Sequence, residues 1–107
     1  VDKAATDGCT PIFIAAQFDN ADCLKLLLCA KANVDKARND GSTPVYIAAE
    51  ENNADCLELL LHAKADFNKT YKWLSPLMTA RLNGNTACVD LLRRAKAEAG
   101  HTDCVLS

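Results

Sequence analysis

The sequence predicts an all-α fold, a solenoid in which short helix-turn-helix units stack side by side. Three observations predict it. Residues 1–33 laid on residues 34–66 are identical at 22 of 33 positions, and self-similarity at a fixed period of this length marks a stacked-repeat chain. A hydroxyl residue stands directly before proline in Thr10-Pro11, Thr43-Pro44 and Ser75-Pro76. Each pair starts a helix, because the hydroxyl caps a free N–H and the proline fills the first helical position, where its missing N–H costs nothing. Downstream, Cys23, Leu24, Leu27 and Leu28 and then Cys56, Leu57, Leu60 and Leu61 repeat the spacing of one apolar helix face.

The elements come in the same order within each unit. The first helix is short and small-faced, with Ala15-Ala16 and Ala48-Ala49 allowing a neighbouring helix to approach closely. It ends at Asp19-Asn20, Asn52-Asn53 and Gly84-Asn85, residues that tolerate the left-handed backbone of a tight turn. The second helix begins there. Asp22 and Asp55 fall in its first turn, where negative charge suits the helix dipole.

The pattern G-x-T-P-(I/V)-(F/Y)-I-A-A, with an apolar second helix ending L-L-L-x-A-K-A, resembles the ankyrin repeat over almost the whole chain. The resemblance implies an ankyrin-repeat α-solenoid with short β-hairpin fingers between helix pairs. It also implies one domain over residues 1–107, with units at about 1–33, 34–66 and 67–97 and a tail at 98–107 resembling a partial fourth unit. Where the family usually ends its second helix on a left-handed glycine, this chain has Lys31, Lys64 and Lys96. A lysine there costs about 1 kcal/mol if the backbone is left-handed, offset by roughly 0.3–1 kcal/mol from a cation near a helix C-terminus.

The same resemblance implies protein binding through finger tips and the concave face of the first helices. In the first unit the implied contacts are Thr6, Asp7, Gln17 and Phe18; in the second, Asn39, Asp40, Tyr46, Glu50 and Glu51. Phe18 could instead pack on the next unit. Glu50 and Glu51 would favour a basic partner segment if they are more than a solvated charged face. The third unit departs from the period, since Pro76 arrives one residue early and Trp73 stands where Gly8 and Gly41 supply a positive φ. A remodelled finger is expected, gathering Tyr71, Lys72 and Trp73 in one loop with the aromatic and basic composition of binding hot spots. The competing arrangement folds Trp73 back over the second unit.

Composition narrows the remaining classes. A chain of 107 residues, 50% apolar and 24% charged, is an ordinary globular mixture, and three units is near the minimum for a stack. Net charge of −2 with interspersed signs argues against a nucleic-acid binder. Six cysteines lie mainly in repeat-equivalent helix slots such as Cys23, Cys56 and Cys88, so they read as small core residues rather than disulfides. Neither a CxxC pair nor zinc-finger spacing occurs, and no metal is expected. No apolar run reaches the roughly 20 residues of a membrane span, so no membrane role is expected, and reduced thiols imply a cytoplasmic or nuclear setting. The opening Val1-Asp2-Lys3 lies inside a finger, as in a segment of a longer protein.

Catalysis is not expected. His62 occupies a slot held by Cys29 and Arg94 elsewhere, His101 lies in the tail, and the glycines are isolated, so neither a nucleophile–base constellation nor a phosphate-cradling loop is assembled; no cofactor is implied. Leu60, Asp66, Phe67 and Asn68 fit the L-x5-D-φ-N pattern at which asparaginyl hydroxylases modify members of the resembled family, marking Asn68 as a possible hydroxylation site. Two functions compete: a non-catalytic protein-interaction scaffold, and a structural module self-associating through uncapped end units. A thiol-based role would require Cys9 or Cys104 to be exposed.

Overall fold

A computed structural model describes residues 8–99 and contains six helices there: α1 (Pro11–Gln17), α2 (Ala21–Cys29), α3 (Pro44–Glu50), α4 (Ala54–His62), α5 (Pro76–Leu82) and α6 (Thr86–Ala99). The hydroxyl-proline pairs act as their chemistry requires. Thr10, Thr43 and Ser75 accept from the N–H groups of Phe13, Tyr46 and Met78 at 3.3, 3.1 and 3.1 Å. Asp19, Asn52 and Gly84 all take positive φ, turning the chain from first to second helix.

Two rows result, an inner one in which α3 packs between α1 and α5 and an outer one in which α4 packs between α2 and α6. Small side chains set the inner spacing: Ala15, Ala16, Ala48, Ala49 and Ala80 are all buried. Between the rows lie Ile12, Phe13, Leu24, Val45, Leu57, Leu60 and Leu92, all excluded from solvent. Having a neighbour on each side, α3 is buried from Pro44 through Ala49. Its counterparts expose Ile14 at one end of the stack and Met78 and Leu82 at the other.

Units are joined by side chains as well as by apolar contact. Asn53 donates its amide to the carbonyls of Ala16 and Gln17, and Asn85 repeats this with Ala49 and Glu50 at 2.8 and 3.1 Å. These are carbonyls at the C-terminal ends of α1 and α3, which lack partners within their own helices. Thiols of Cys56 and Cys88 point the same way, donating weakly to Ala15 O and Ala48 O. No disulfide links the described cysteines.

Two expectations need correction. Lys31 and Lys64 do adopt left-handed backbones, at φ 64° and 67°, but Lys96 lies inside α6. After α2 and α4 the chain reverses direction, and Ala32 and Ala65 are buried at the reversals. Beyond Lys96 the described chain meets no such reversal, and Ala95, Ala97 and Glu98 are strong helix formers. The second correction concerns the β-hairpin fingers. Among the described residues there are no strands, only an isolated bridge between Tyr71 and Leu74, because arms this short close a turn without building a ladder.

Candidate protein-binding surface

The missing residue of the third finger comes out of its turn. In the second finger three residues separate Arg38 from Ser42, whose carbonyl accepts from Arg38 N at 2.8 Å. In the third only Lys72 and Trp73 separate Tyr71 from Leu74, which exchange backbone hydrogen bonds of 2.8 and 3.0 Å. A two-residue turn of the type that suits hairpin twist needs positive φ at both positions. Lys72 and Trp73 adopt it, at φ 50° and 71°, although side chains beyond glycine pay roughly 1–2 kcal/mol each in that region. The Trp73 side chain projects away from the stack and is 94% exposed, rather than folded over the second unit.

Beneath the tip, the second and third fingers each cover an aromatic residue of the preceding first helix. The Arg38 guanidinium lies 4.9 Å from the Phe13 ring centre, and Tyr71 meets Tyr46 edge-on with ring centres 4.9 Å apart. Tyr46, expected at the surface, is only 3% exposed. The shorter finger lays Tyr71 across it, so its ring is not available to a partner.

Asp40 ties the second and third fingers together. It accepts from Arg38 Nη2 at 2.8 Å, from Tyr71 Oη at 3.2 Å and from Ser42 N at 3.0 Å. Chiefly through the Arg38 hydrogen bond, and against a smaller effect of burial, its carboxyl is held down at about 2. Asn39 is exposed beside the first finger, close over Gly8. Gly8 has φ 86°, and a β-carbon there would overlap Asn39, so both the turn and the close approach require glycine.

The other implied contacts form a separate group. Gln17, Phe18, Glu50 and Glu51 lie at the C-terminal ends of α1 and α3, one seven-residue helix, or roughly 10 Å, from the fingers. Phe18 is 71% exposed. Thr6, Asp7, His101 and Cys104 lie outside the described residues. Asn68 is exposed, its N–H donating to Asp66 Oδ1 at 2.9 Å.

Other features were less visible from sequence. Cys9, expected to be the exposed thiol, is buried in the core beside the first N-cap, whereas Cys29 is exposed. Burial pushes the Cys56 and Cys88 thiols up to about 12 and about 11, well away from the low values of reactive thiols. Leu82 is exposed at a slot held by Gln17 and Glu50 in the other units; its partial match to a polar position was the signal available. A hollow of about 670 Å3 lies between α4 and α6, lined in part by Glu58, His62, Arg94 and Glu98 above Leu61 and Phe67. His62 is exposed there.

Short helix pairs in two packed rows, joined by solvent-facing turns, define a helical-repeat solenoid. The family model for ankyrin repeats, in three copies, matches residues 1–71, and the chain belongs to the ankyrin-repeat family. No curated protein gives a significant match. The matched region ends at Tyr71, inside the third finger; α5 and α6 extend the same two rows beyond it. Ankyrin repeats are in general protein–protein interaction modules and typically non-catalytic scaffolds. No helix among the described residues is long and apolar enough to cross a membrane.

Proposed function

We propose that the chain is a non-catalytic recognition module, a single domain that binds a partner protein along its finger edge, with the C-terminal ends of the inner helices as a second contact zone. The observation that carries this reading is Trp73, a large aromatic side chain standing 94% exposed at the tip of a strained turn. An exposed tryptophan beside a cation and a half-buried tyrosine has the composition of an interface anchor. Asn39, Asp40, Tyr71 and Lys72 complete the finger zone, and Gln17, Phe18, Glu50 and Glu51 the second. Asn68, in its exposed turn, is proposed as a hydroxylation site, tested by whether an asparaginyl hydroxylase adds one oxygen to the wild-type chain and none to Asn68→Ala.

Affinity capture with the native chain and with Trp73→Ala plus Phe18→Ala tests the reading. Proteins retained by the native bait and lost by the variant support it; identical recovery by both refutes the proposed surface. A second reading, self-association through the ends, draws on Ile14 and Leu26 exposed at one end and Met78 and Leu82 at the other. Light scattering during sizing separates the two, because stacking gives a mass that grows with concentration and a recognition module remains a monomer.

A further inference from the structure

We infer that the third finger receives an acidic peptide segment that sets an apolar side chain against Trp73 and carboxylates against Lys69 and Lys72. The inference rests on the finger-edge reading and names the chemistry of its partner. Three observations carry it.

The first is charge. Residues 67–75 hold two lysines and no carboxylate, and neither Lys69 nor Lys72 forms an ion pair among the described residues. The second finger differs, since Asp40 neutralises Arg38 at 2.8 Å. With the exposed Asp66 at its base included, residues 66–75 carry two lysines against one carboxylate, whereas residues 33–42 carry two cations against two carboxylates, so the net positive charge of this edge lies on the third finger. The Lys72 ammonium stands 5.2 Å from the Tyr71 ring centre, a cation–π distance that favours its position over the finger while the residue stays exposed to solvent.

Conformation is the second observation. An asparagine and a glycine would relax a two-residue turn of this kind, yet a lysine and a tryptophan occupy it at positive φ. Backbone strain of this sort clusters at ligand clamps and switch regions, and unlike Lys31 and Lys64 these two residues do not follow a helix end. Here it aims an indole away from its own fold and places a cation next to it.

Surroundings decide between kinds of partner. Glu51 is exposed and Glu50 half-buried on the same inner row, and the chain carries a net charge of −2. A long polyanion or an anionic bilayer would span both zones and meet these carboxylates, at a cost in like-charge repulsion. A short acidic segment lying over the third finger does not reach them.

Trp73 is the only tryptophan in the chain, so its fluorescence reads the site directly. The probes are a synthetic Asp/Glu-rich peptide carrying one leucine, the same peptide with serine for leucine, a Lys-rich counterpart, phosphatidylserine vesicles and a single-stranded oligonucleotide. The leucine-bearing acidic peptide is expected to shift the emission saturably to the blue, with an affinity that falls as salt rises. Lys69→Glu with Lys72→Glu should weaken it about tenfold or more while leaving the circular dichroism unchanged. Lys72→Asn with Trp73→Gly should raise Tm and abolish binding of a fluorescently labelled peptide. The inference is overturned if acidic peptides give no shift, if the Lys-rich peptide, vesicles or oligonucleotide bind as well or better, or if the relaxed-turn variant binds normally. Loss of captured partners on Trp73→Ala alongside failure of the acidic peptides would sink the partner chemistry alone; unchanged capture would sink the finger-edge reading beneath it.

Discussion

The Asn53 side-chain amide donates to the main-chain carbonyl of Ala16 at 2.7 Å across 37 residues of sequence. It belongs to the N-cap of α4 and satisfies the end of α1. One residue thereby serves two units, and Asn85 does the same between the second and third. Stability in such an array is a sum of unit and interface terms, and these amides are part of the interface term.

Asn53→Ala is therefore expected to destabilise the chain by about 2–3 kcal/mol, because it strands two carbonyls that are buried or half-buried at the junction. Among the described residues the Asn20 side chain has only the Cys23 N–H as partner, at 3.1 Å in an exposed setting; Asn20→Ala should cost about 1 kcal/mol. Urea denaturation of the two variants measures the difference, and equal losses would show that the junction amide contributes no more than the exposed cap at Asn20.

The repeat-equivalent Lys64 and Lys96 should respond to glycine with opposite signs. At Lys64, with φ 67°, glycine removes the left-handed penalty and is expected to stabilise by about 1 kcal/mol. At Lys96, within α6, glycine should destabilise by about 0.5–1 kcal/mol. Thermal unfolding of Lys64→Gly and Lys96→Gly reads this as a rise and a fall in Tm.

Ser42 sits in a slot held by Cys9 and Leu74 in the other units, and its buried hydroxyl has no hydrogen-bond partner among the described residues. Burying an unsatisfied hydroxyl costs about 1–3 kcal/mol. Ser42→Ala should thus be neutral or stabilising by up to about 1 kcal/mol, whereas Thr43→Ala, one residue on, removes the Tyr46 cap and should cost about 1 kcal/mol. Chemical denaturation midpoints compare the pair.

Acid should loosen the finger contacts that neutral pH preserves. The Asp40 carboxyl is held at about 2, below its ordinary 3.8, mainly by the Arg38 hydrogen bond. The unfolded chain then binds the proton more readily than the native one, so this contribution is present above about pH 4 and is lost as pH falls from 3.8 toward 2. Its size is small because Asp40 is partly exposed. Stability of Asp40→Asn should fall less steeply in that window, and a denaturation series in pH with both proteins tests the slope.

Where the sequence repeated itself, the structure could be read from it. Thr10-Pro11, Thr43-Pro44 and Ser75-Pro76 marked three helix starts, Asp19, Asn52 and Gly84 marked three reversals, and the leucine stripes marked the buried faces, since caps, left-handed turns and apolar periodicity are local properties that a few neighbouring residues impose. The candidate surface was legible only in part. Removal of one residue before Pro76 announced an altered turn, and Trp73 in a glycine slot announced where strain would fall.

Long-range packing decided the remainder. Whether Trp73 would cap the second unit or stand in solvent depended on where the shortened turn aimed it, and Tyr46 was lost to the surface because Tyr71 came to lie across it. Likewise Lys96 looked like Lys31 and Lys64, yet only the first two are followed, within the described chain, by a reversal that forces the left-handed backbone. Residue type determined which conformations each position could take without penalty; the neighbouring unit, through the area it buried and the carbonyls it satisfied, chose among them.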